Sequence, residues 1–359
     1  MSQKIMTGIE HFDELCAALS PKSILLVCDS SFRYLPDSIQ SIYSNHKETV
    51  TVFNAFTPNP QYEQVCEGVK LFNDEQCDAI VAIGGGSTID VAKCIKLFCK
   101  MNPSVNYLQQ EYKDSGVPLI AIPTTAGTGS ESTQHAVIYY NGAKQSISHP
   151  SIVPNYCILE PSVLKTLPIY QKKCTMLDAL CQGIESWWSV NSTDESKQYS
   201  KTAVDTIVVN YKAYIFDNDD EAAKQIMLAA NYAGRAINIS QTTAAHAMSY
   251  KITSLYKLPH GHAVAVGLPV VWEYMIHNIT ACADMRGKDY LQKVFEEIPI
   301  NVEWFKALLK ELGINNPTAS EREKEIDILT QSVNPVRLKN NPVALSNGVL
   351  RNMYERIIK

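Results

Sequence analysis

The sequence predicts two domains, a doubly wound, mostly parallel α/β domain over residues 1–161 and an all-helical domain over residues 162–359. In the first half, short apolar runs alternate with helix-like segments, the pattern of a parallel sheet covered on both faces. Beyond Pro161 the apolar residues fall instead at three- and four-residue spacing, and Gly and Pro become infrequent. A chain of 359 residues is ample for two cores.

The first strand is Ser23-Ile-Leu-Leu-Val-Cys28, nearly all apolar and ending at Asp29. Thr49-Val-Thr-Val-Phe53 and Ala79-Ile-Val-Ala-Ile83 repeat the pattern, each after a helix-like stretch. Pro118-Leu-Ile-Ala-Ile122 leads straight into Pro123-Thr-Thr-Ala-Gly-Thr-Gly-Ser130. Residues 139–159 read as a hairpin and a returning strand, with Asn141-Gly142 as the turn. Residues 173–190, 197–214, 221–239 and 262–279 read as amphipathic helices. Ligands of open α/β sheets bind at the carboxyl ends of the strands, so the cleft between the domains is the expected active site.

Charged residues make up 19% of the chain and the formal net charge is -5, which argues against both disorder and a basic nucleic-acid-binding stripe. The expected ligand is a small molecule. No apolar run reaches the length of a membrane span, and the first residues lack the apolar centre of a signal peptide, so a cytoplasmic location is expected. The ten cysteines stand singly without a CxxC pair, as buried apolar residues of a reducing compartment do.

Two loops carry binding chemistry. Gly84-Gly85-Gly86-Ser87 follows the third strand and opens a helix through Asp90 and Lys93. Its glycines let the backbone approach a diphosphate, which the helix N-terminus favours, although a purely structural turn would use the same residues. After the next strand, Thr124, Thr125, Thr128 and Ser130 add hydroxyls, and two such loops suit a dinucleotide better than a single phosphate. Asp29 stands where an acid accepts from a ribose 2′-hydroxyl and repels a 2′-phosphate, or where it caps a helix.

In the second half, Asp178 and Gln182 are four apart on one predicted helix and share a face. With His246 and His260 they form a donor set for a divalent metal, iron or zinc. Tyr250, one turn after His246, offers a proton relay or a buried hydrogen-bonded hydroxyl. His262 ranks below Gln182 as a ligand, because the helix turns it away from His260. Arg235 and Lys251 are candidate anchors for a substrate anion, against a default of solvated surface charge. Of Trp187 and Trp188, one is expected in the core and the other along a substrate pocket.

Phe56-Thr-Pro58-Asn59-Pro60, Gly84-Gly-Gly-Ser87-x-x-Asp90-x-x-Lys93, Ile122-Pro-Thr-Thr-Ala-Gly-Thr-Gly-Ser-Glu131, Asp178-Ala-Leu, and His246 fourteen residues before His260 resemble the group III, iron-dependent alcohol dehydrogenases. The likeness runs from Ser23 to the C-terminus and includes Arg337-Leu-Lys-Asn-Asn-Pro342. Met176-Leu-Asp-Ala-Leu-Cys-Gln182, Trp187-Trp188 and Thr242-Thr-Ala-Ala-His-Ala-Met-Ser-Tyr250 resemble the phosphonoacetaldehyde reductase branch.

The resemblance implies a dehydroquinate synthase-like architecture, a homodimer, and reversible hydride transfer between NAD(P)(H) and a small aldehyde or alcohol, phosphonoacetaldehyde first among them. It places the cofactor on Asp29, Gly84, Gly85, Gly86, Ser87, Asp90, Thr124, Thr125, Thr128, Ser130 and Lys144, with NADH preferred over NADPH through Asp29. It places one divalent metal, Fe2+ before Zn2+ or Mn2+, on Asp178, Gln182, His246 and His260, and sets Tyr250, His246 and His260 at the reacting carbonyl. Most members carry His where this chain has Gln182, and a second His where it has Tyr250. A neutral amide oxygen binds a first-row metal more weakly than imidazole does. Rival readings are a general short-chain aldehyde reductase, a glycerol-phosphate dehydrogenase, a cyclase resembling dehydroquinate synthase, and a nucleotide-binding protein that has lost its metal.

Overall fold

The structure is a computed structural model and describes residues 3–359. Its strands are β1 (Lys4–Thr7), β2 (Ile24–Cys28), β3 (Val50–Phe53), β4 (Ala79–Gly84), β5 (Leu119–Pro123), β6 (His135–Tyr140), β7 (Ala143–Ser148) and β8 (Tyr156–Leu159). Six of them form one sheet in the order β1-β8-β5-β4-β2-β3, and every neighbouring pair is parallel. β2, β4 and β5 are buried along their whole length, which is why each reads as an unbroken apolar run. On one face, Leu25, Val27, Ile80, Ala82 and Leu119 meet Val65, Val69 and Phe72 of the Tyr62–Asp74 helix and Ile89, Ile95 and Phe98 of the Gly86–Phe98 helix. The two-residue period of the strands and the three- to four-residue period of the helices interlock there.

Chain direction across the sheet reverses between β2 and β4, because β2 continues outward to β3 while β4 continues to β5 on the other side. Ligands of such sheets sit at that switch point, beyond the carboxyl ends of the strands. Asp29 follows β2, and Gly84 to Ser87 end β4 and open the next helix, so the sheet itself brings these predicted residues together.

Asn141 and Gly142 turn the β6–β7 hairpin with φ of 50° and 73°, the left-handed pair that a tight two-residue turn demands. β1 was not legible in the sequence. It pairs only with β8 at the sheet edge, is incompletely buried, and so carries no continuous apolar run.

Among the described residues, one compact unit takes those up to Leu167 together with Asn218–Gly234, and a second takes Pro168–Asp217 with Arg235–Lys359. The sequence predicts a single boundary, between residues 161 and 162. Segment Asn218–Gly234 lies with the first unit because it packs on the second glycine loop. A Cβ on Gly129, whose φ is 62°, would stand 2.4 Å from Gly234 Cα. Asn231 Nδ2 donates to Ser132 Oγ at 2.6 Å and to Glu131 Oε1 at 3.2 Å.

The second unit is helical, with helices Ile169–Trp188, Asp194–Lys212, Ala244–Tyr256 and His260–His277 around its site. Helix His260–His277 is apolar on nearly every face and runs through the core of this unit. Trp187 and Trp188 are both buried, and Trp188 packs edge-to-face on Trp272 with ring centroids 5.3 Å apart. Among the described residues, no helix is long and apolar enough to cross a membrane.

Candidate active site

In the first unit the two loops touch. Thr124 N donates to Gly84 O at 3.0 Å. A Cβ on Gly86 would stand 2.9 Å from Thr128 Cγ2 and Oγ1, and one on Gly84 only 2.3 Å from Thr88 Oγ1. A side chain at Gly84 would displace Thr88 and one at Gly86 would push Thr128 aside, so the glycines keep the backbone at the start of the Gly86–Phe98 helix open to close approach. Asp29 takes the capping role. Its Oδ1 accepts from Ser31 N at 2.8 Å and caps the following turn, and its Oδ2 accepts from Thr88 Oγ1 at 3.0 Å across the switch point.

Asp90 and Ser130 are engaged beneath the loops. Asp90 Oδ1 accepts from Ser130 Oγ at 2.6 Å and Oδ2 accepts from Val137 N at 2.9 Å. Desolvation raises the Asp90 pKa, offset in part by Lys93, Ser130, Val137 and, last, the charge of Lys144 on β7. Lys93 is fully buried and donates to Ser130 Oγ at 3.0 Å, Thr133 Oγ1 at 3.1 Å and His135 O at 2.8 Å. Burial lowers its pKa to about 8 against the pull of Asp90 and Glu131. This network fixes the shape of the second loop from below.

In the second unit Asp178, His246 and His260 converge, each offering one ligand atom within 4.8 Å of the others. His246 Nε2 is 3.3 Å and His260 Nε2 3.9 Å from Asp178 Oδ1. One carboxylate and two imidazoles at that spacing fit a single divalent ion after small side-chain adjustments, since each metal–ligand bond is about 2.0–2.2 Å. Gln182, buried one turn beyond Asp178, hydrogen-bonds the Asp178 carboxylate. Burial alone would raise the Asp178 pKa, but His260, His246 and Gln182 together hold it below the usual carboxylate value.

The helices approach closely here because of Gly261. A Cβ on it would stand 1.9 Å from Cys174 O and 2.9 Å from Asp178 Cβ, so only glycine lets His260 begin its helix against Asp178.

Glu185, seven residues past Asp178 on the same helix face, had no role in the sequence reading. It is fully buried. Its Oε1 accepts from Thr243 N at 3.1 Å, Ala245 N at 3.0 Å, His246 N at 3.3 Å and Thr243 Oγ1 at 2.8 Å, capping the Ala244–Tyr256 helix from another element. Its Oε2 pairs with His246 Nδ1. A ring whose Nδ1 proton is held this way presents Nε2 to a metal, the arrangement in which a carboxylate orients a ligating histidine. Burial lowers the His246 pKa, yet Glu185 and Asp178 overcome it and raise it to about 9.

Tyr250 stacks on His260 with planes 2° apart and ring centroids 5.7 Å apart. Arg337 Nη1 donates to Tyr250 Oη at 3.4 Å. His262 is engaged elsewhere, with Nδ1 2.7 Å from Tyr170 Oη and Nε2 2.7 Å from Asn315 O. Arg235 lies over the Tyr199 ring, its Cζ 5.7 Å from the centroid. Lys251 is half-buried on the residue after Tyr250.

Comparison with known proteins agrees with both halves. Residues 3–161 match the iron-containing alcohol dehydrogenase profile, and residues 173–354 match the C-terminal profile of the Fe-containing alcohol dehydrogenase family. The chain is 34% identical to a phosphonoacetaldehyde reductase of Streptomyces viridochromogenes over 238 residues, 62% of this chain and 60% of that protein. It is 30% identical to a choline dehydrogenase of Bacillus subtilis over 376 aligned positions, covering 97% of this chain and 91% of that one. The sulfoacetaldehyde reductase of Bifidobacterium kashiwanohense, solved with NAD+, superposes with a TM-score of 0.85 at 24% identity, over 99% of this chain and 96% of that one. The parallel sheet with its two glycine loops, the Asp178, His246 and His260 cluster, and profile matches spanning both halves lead to one conclusion: this chain belongs to the iron-containing alcohol dehydrogenase family.

Proposed function

We propose that the chain reduces a small aldehyde to a primary alcohol with NADH, with phosphonoacetaldehyde as the preferred substrate and 2-hydroxyethylphosphonate as product. The observation that carries this reading is the trio of buried Asp178 and His246 with half-buried His260, and Glu185 behind His246, a donor set in which one ligand is already oriented. A divalent ion held there, Fe2+ foremost, supplies Lewis-acid polarisation of the carbonyl oxygen. Bound NADH would supply the hydride, and the Tyr250 hydroxyl is assigned to relay the proton that the carbonyl oxygen takes. The glycine loops and Ser87 hold the cofactor diphosphate, and Asp29 receives the adenosine ribose. The phosphonate assignment is supported by the 34% identity to a phosphonoacetaldehyde reductase. The reading includes a cytoplasmic homodimer, and ten free cysteines suit a reducing compartment.

An aldehyde panel assayed with NADH and with NADPH tests the reading. Phosphonoacetaldehyde is expected to give the highest kcat/KM; values comparable with propanal would return the chain to a general aldehyde reductase. NADH is expected to be preferred, because the 2′-phosphate of NADPH would meet the Asp29 carboxylate. Asp29→Gly should shift the NADH to NADPH ratio by about tenfold, or about 1.4 kcal/mol, while loss of the cap costs only about a few tenths of a kcal/mol. Equal or better use of NADPH by the unmutated protein contradicts the assignment of Asp29. Gln182→His is expected to tighten metal binding, read by competition with a chelator; unchanged affinity would remove Gln182 from the ligand set.

A further inference from the structure

We infer that Thr88 is a positioning residue for cofactor choice: its hydroxyl holds the Asp29 carboxylate in place, so that NADH is accepted and NADPH refused. The inference rests on the reading of Asp29 as the acceptor of the adenosine ribose and names the group that makes that acceptor selective.

The two residues come from neighbouring strands. Cys28 at the end of β2 stands beside Ile83 of β4, so the chain leaves the sheet at Asp29 and at Gly84 side by side. Asp29 itself is in extended backbone. From Gly84 the chain turns into the Gly86–Phe98 helix, of which Thr88 is the third residue. The Thr88 side chain lies back against Gly84, where an added Cβ would stand 2.3 Å from its Oγ1, 2.6 Å from its Cβ and 2.8 Å from its Cγ2. Thr88 is 1% exposed. A β-branched side chain packed in this way has little freedom about χ1, so its hydroxyl is a fixed donor, 3.0 Å from Asp29 Oδ2.

Asp29 is half-buried and is held at both oxygens, since Oδ1 accepts from Ser31 N at 2.8 Å. An ionised carboxylate offers about four lone-pair sites, so two protein donors leave it able to accept from sugar hydroxyls as well. Without Thr88 the Ser31 bond alone would remain, and the charge could turn toward solvent. Like charges repel about fourfold less in bulk water than at the effective dielectric of a protein surface. Refusal of a 2′-phosphate therefore depends on a carboxylate that cannot turn away, and Thr88 supplies the second hold.

Thr88 also ties the acid to the helix whose N-terminus suits the diphosphate. In an adenine dinucleotide the adenosine ribose is joined to the diphosphate through one methylene, so the spacing of the two is set by covalent structure. An acceptor bonded to the first turn of the phosphate-binding helix is fixed relative to that phosphate, instead of being averaged over several rotamers. The hydroxyl of Ser130, in the second loop, is spent on Asp90 and serves a different purpose.

Calorimetric titration of NADH and of NADPH into purified protein, without aldehyde, tests this in wild type, Thr88→Val, Thr88→Ser, Asp29→Gly and the double variant Asp29→Gly with Thr88→Val. Thr88→Val keeps the shape and removes the hydroxyl, and the ratio of the NADPH to the NADH dissociation constant is expected to fall by about fivefold. Thr88→Ser keeps the donor and is expected to stay within about twofold of wild type. In Asp29→Gly the ratio should fall by about tenfold, and adding Thr88→Val should move it by less than about twofold further, because the hydroxyl acts through the carboxylate. Thr88→Ala removes the same hydroxyl and carries the comparison should the valine variant fail to fold. Equal weakening of both cofactors in Thr88→Val, with the ratio unchanged, would make Thr88 a structural residue and overturn the inference. So would a ratio that falls as far in Thr88→Ser, or an undiminished effect of Thr88→Val in the Asp29→Gly background. An Asp29→Gly variant with the wild-type ratio overturns the reading of Asp29 instead, so the two failures are told apart.

Discussion

Gly261→Ala is expected to empty the metal site and abolish aldehyde reduction in a protein that still folds. The added methyl would stand 1.9 Å from the Cys174 carbonyl oxygen and 2.9 Å from Asp178 Cβ, and the nearest obstruction is helix backbone, which cannot swing aside as a side chain can. The start of the His260–His277 helix must therefore retreat by about an ångström or more from the Ile169–Trp188 helix, at an overpacking cost of about 1–3 kcal/mol. His260 Nε2 is already 3.9 Å from Asp178 Oδ1. Metal–ligand distances tolerate only about 0.2 Å, so the displacement is fatal to the site well before it is fatal to the fold. The same helix supplies a control. A Cβ on Gly267 meets nothing closer than Ala245 O at 3.9 Å, so Gly267→Ala is expected to keep its metal and its activity. Elemental analysis of the two purified proteins, with circular dichroism to confirm helix content, decides between them. Full metal content in Gly261→Ala would mean that the helix contact does not set the ligand geometry.

Changing Glu185 is expected to produce the next largest effect, through His246. The Glu185→Gln side chain keeps its shape but presents an amide N–H2 to one side, which cannot accept the Nδ1 proton that Glu185 Oε2 now holds. The ring then favours the tautomer with its proton on Nε2, the nitrogen that faces Asp178. Metal affinity is expected to fall by about 10–100-fold, the usual cost of losing the partner that orients a ligating histidine. Glu185→Ala goes further, since Thr243 N, Ala245 N, His246 N and the Thr243 hydroxyl lose their acceptor inside the core. Each abandoned buried donor costs about 1–3 kcal/mol, so urea unfolding of the metal-free protein should show a loss of about 3 kcal/mol or more. Wild-type stability and metal affinity in both variants would reduce Glu185 to a bystander.

Residues whose environment is local or uniform were legible in the sequence. β2, β4 and β5 announced themselves because burial on both faces demands apolar residues throughout, whereas edge strand β1, with one neighbour, left no such mark. That Asp178 and Gln182 share a helix face was legible because four-residue spacing on a helix is itself a geometric statement, and the structure adds the hydrogen bond between them. Glu185 was hidden because a glutamate in a helix ordinarily marks a solvated face. Its burial makes sense only once the Thr243 to His246 turn, some sixty residues on, is brought over it. The membership of Asn218–Gly234 in the first unit was equally invisible, since it depends on two glycines, Gly129 and Gly234, that approach across a hundred residues of chain.

The most direct test follows metal content and NADH oxidation in one sample through chelation and reconstitution. Freshly purified protein is expected to hold about one divalent ion per chain, to lose aldehyde reduction as a chelator removes it, and to recover both when Fe2+, Zn2+ or Mn2+ is returned. Protein that carries no metal as purified, and whose rate of NADH oxidation is unchanged by each added ion, would contradict the role given to Asp178, His246 and His260.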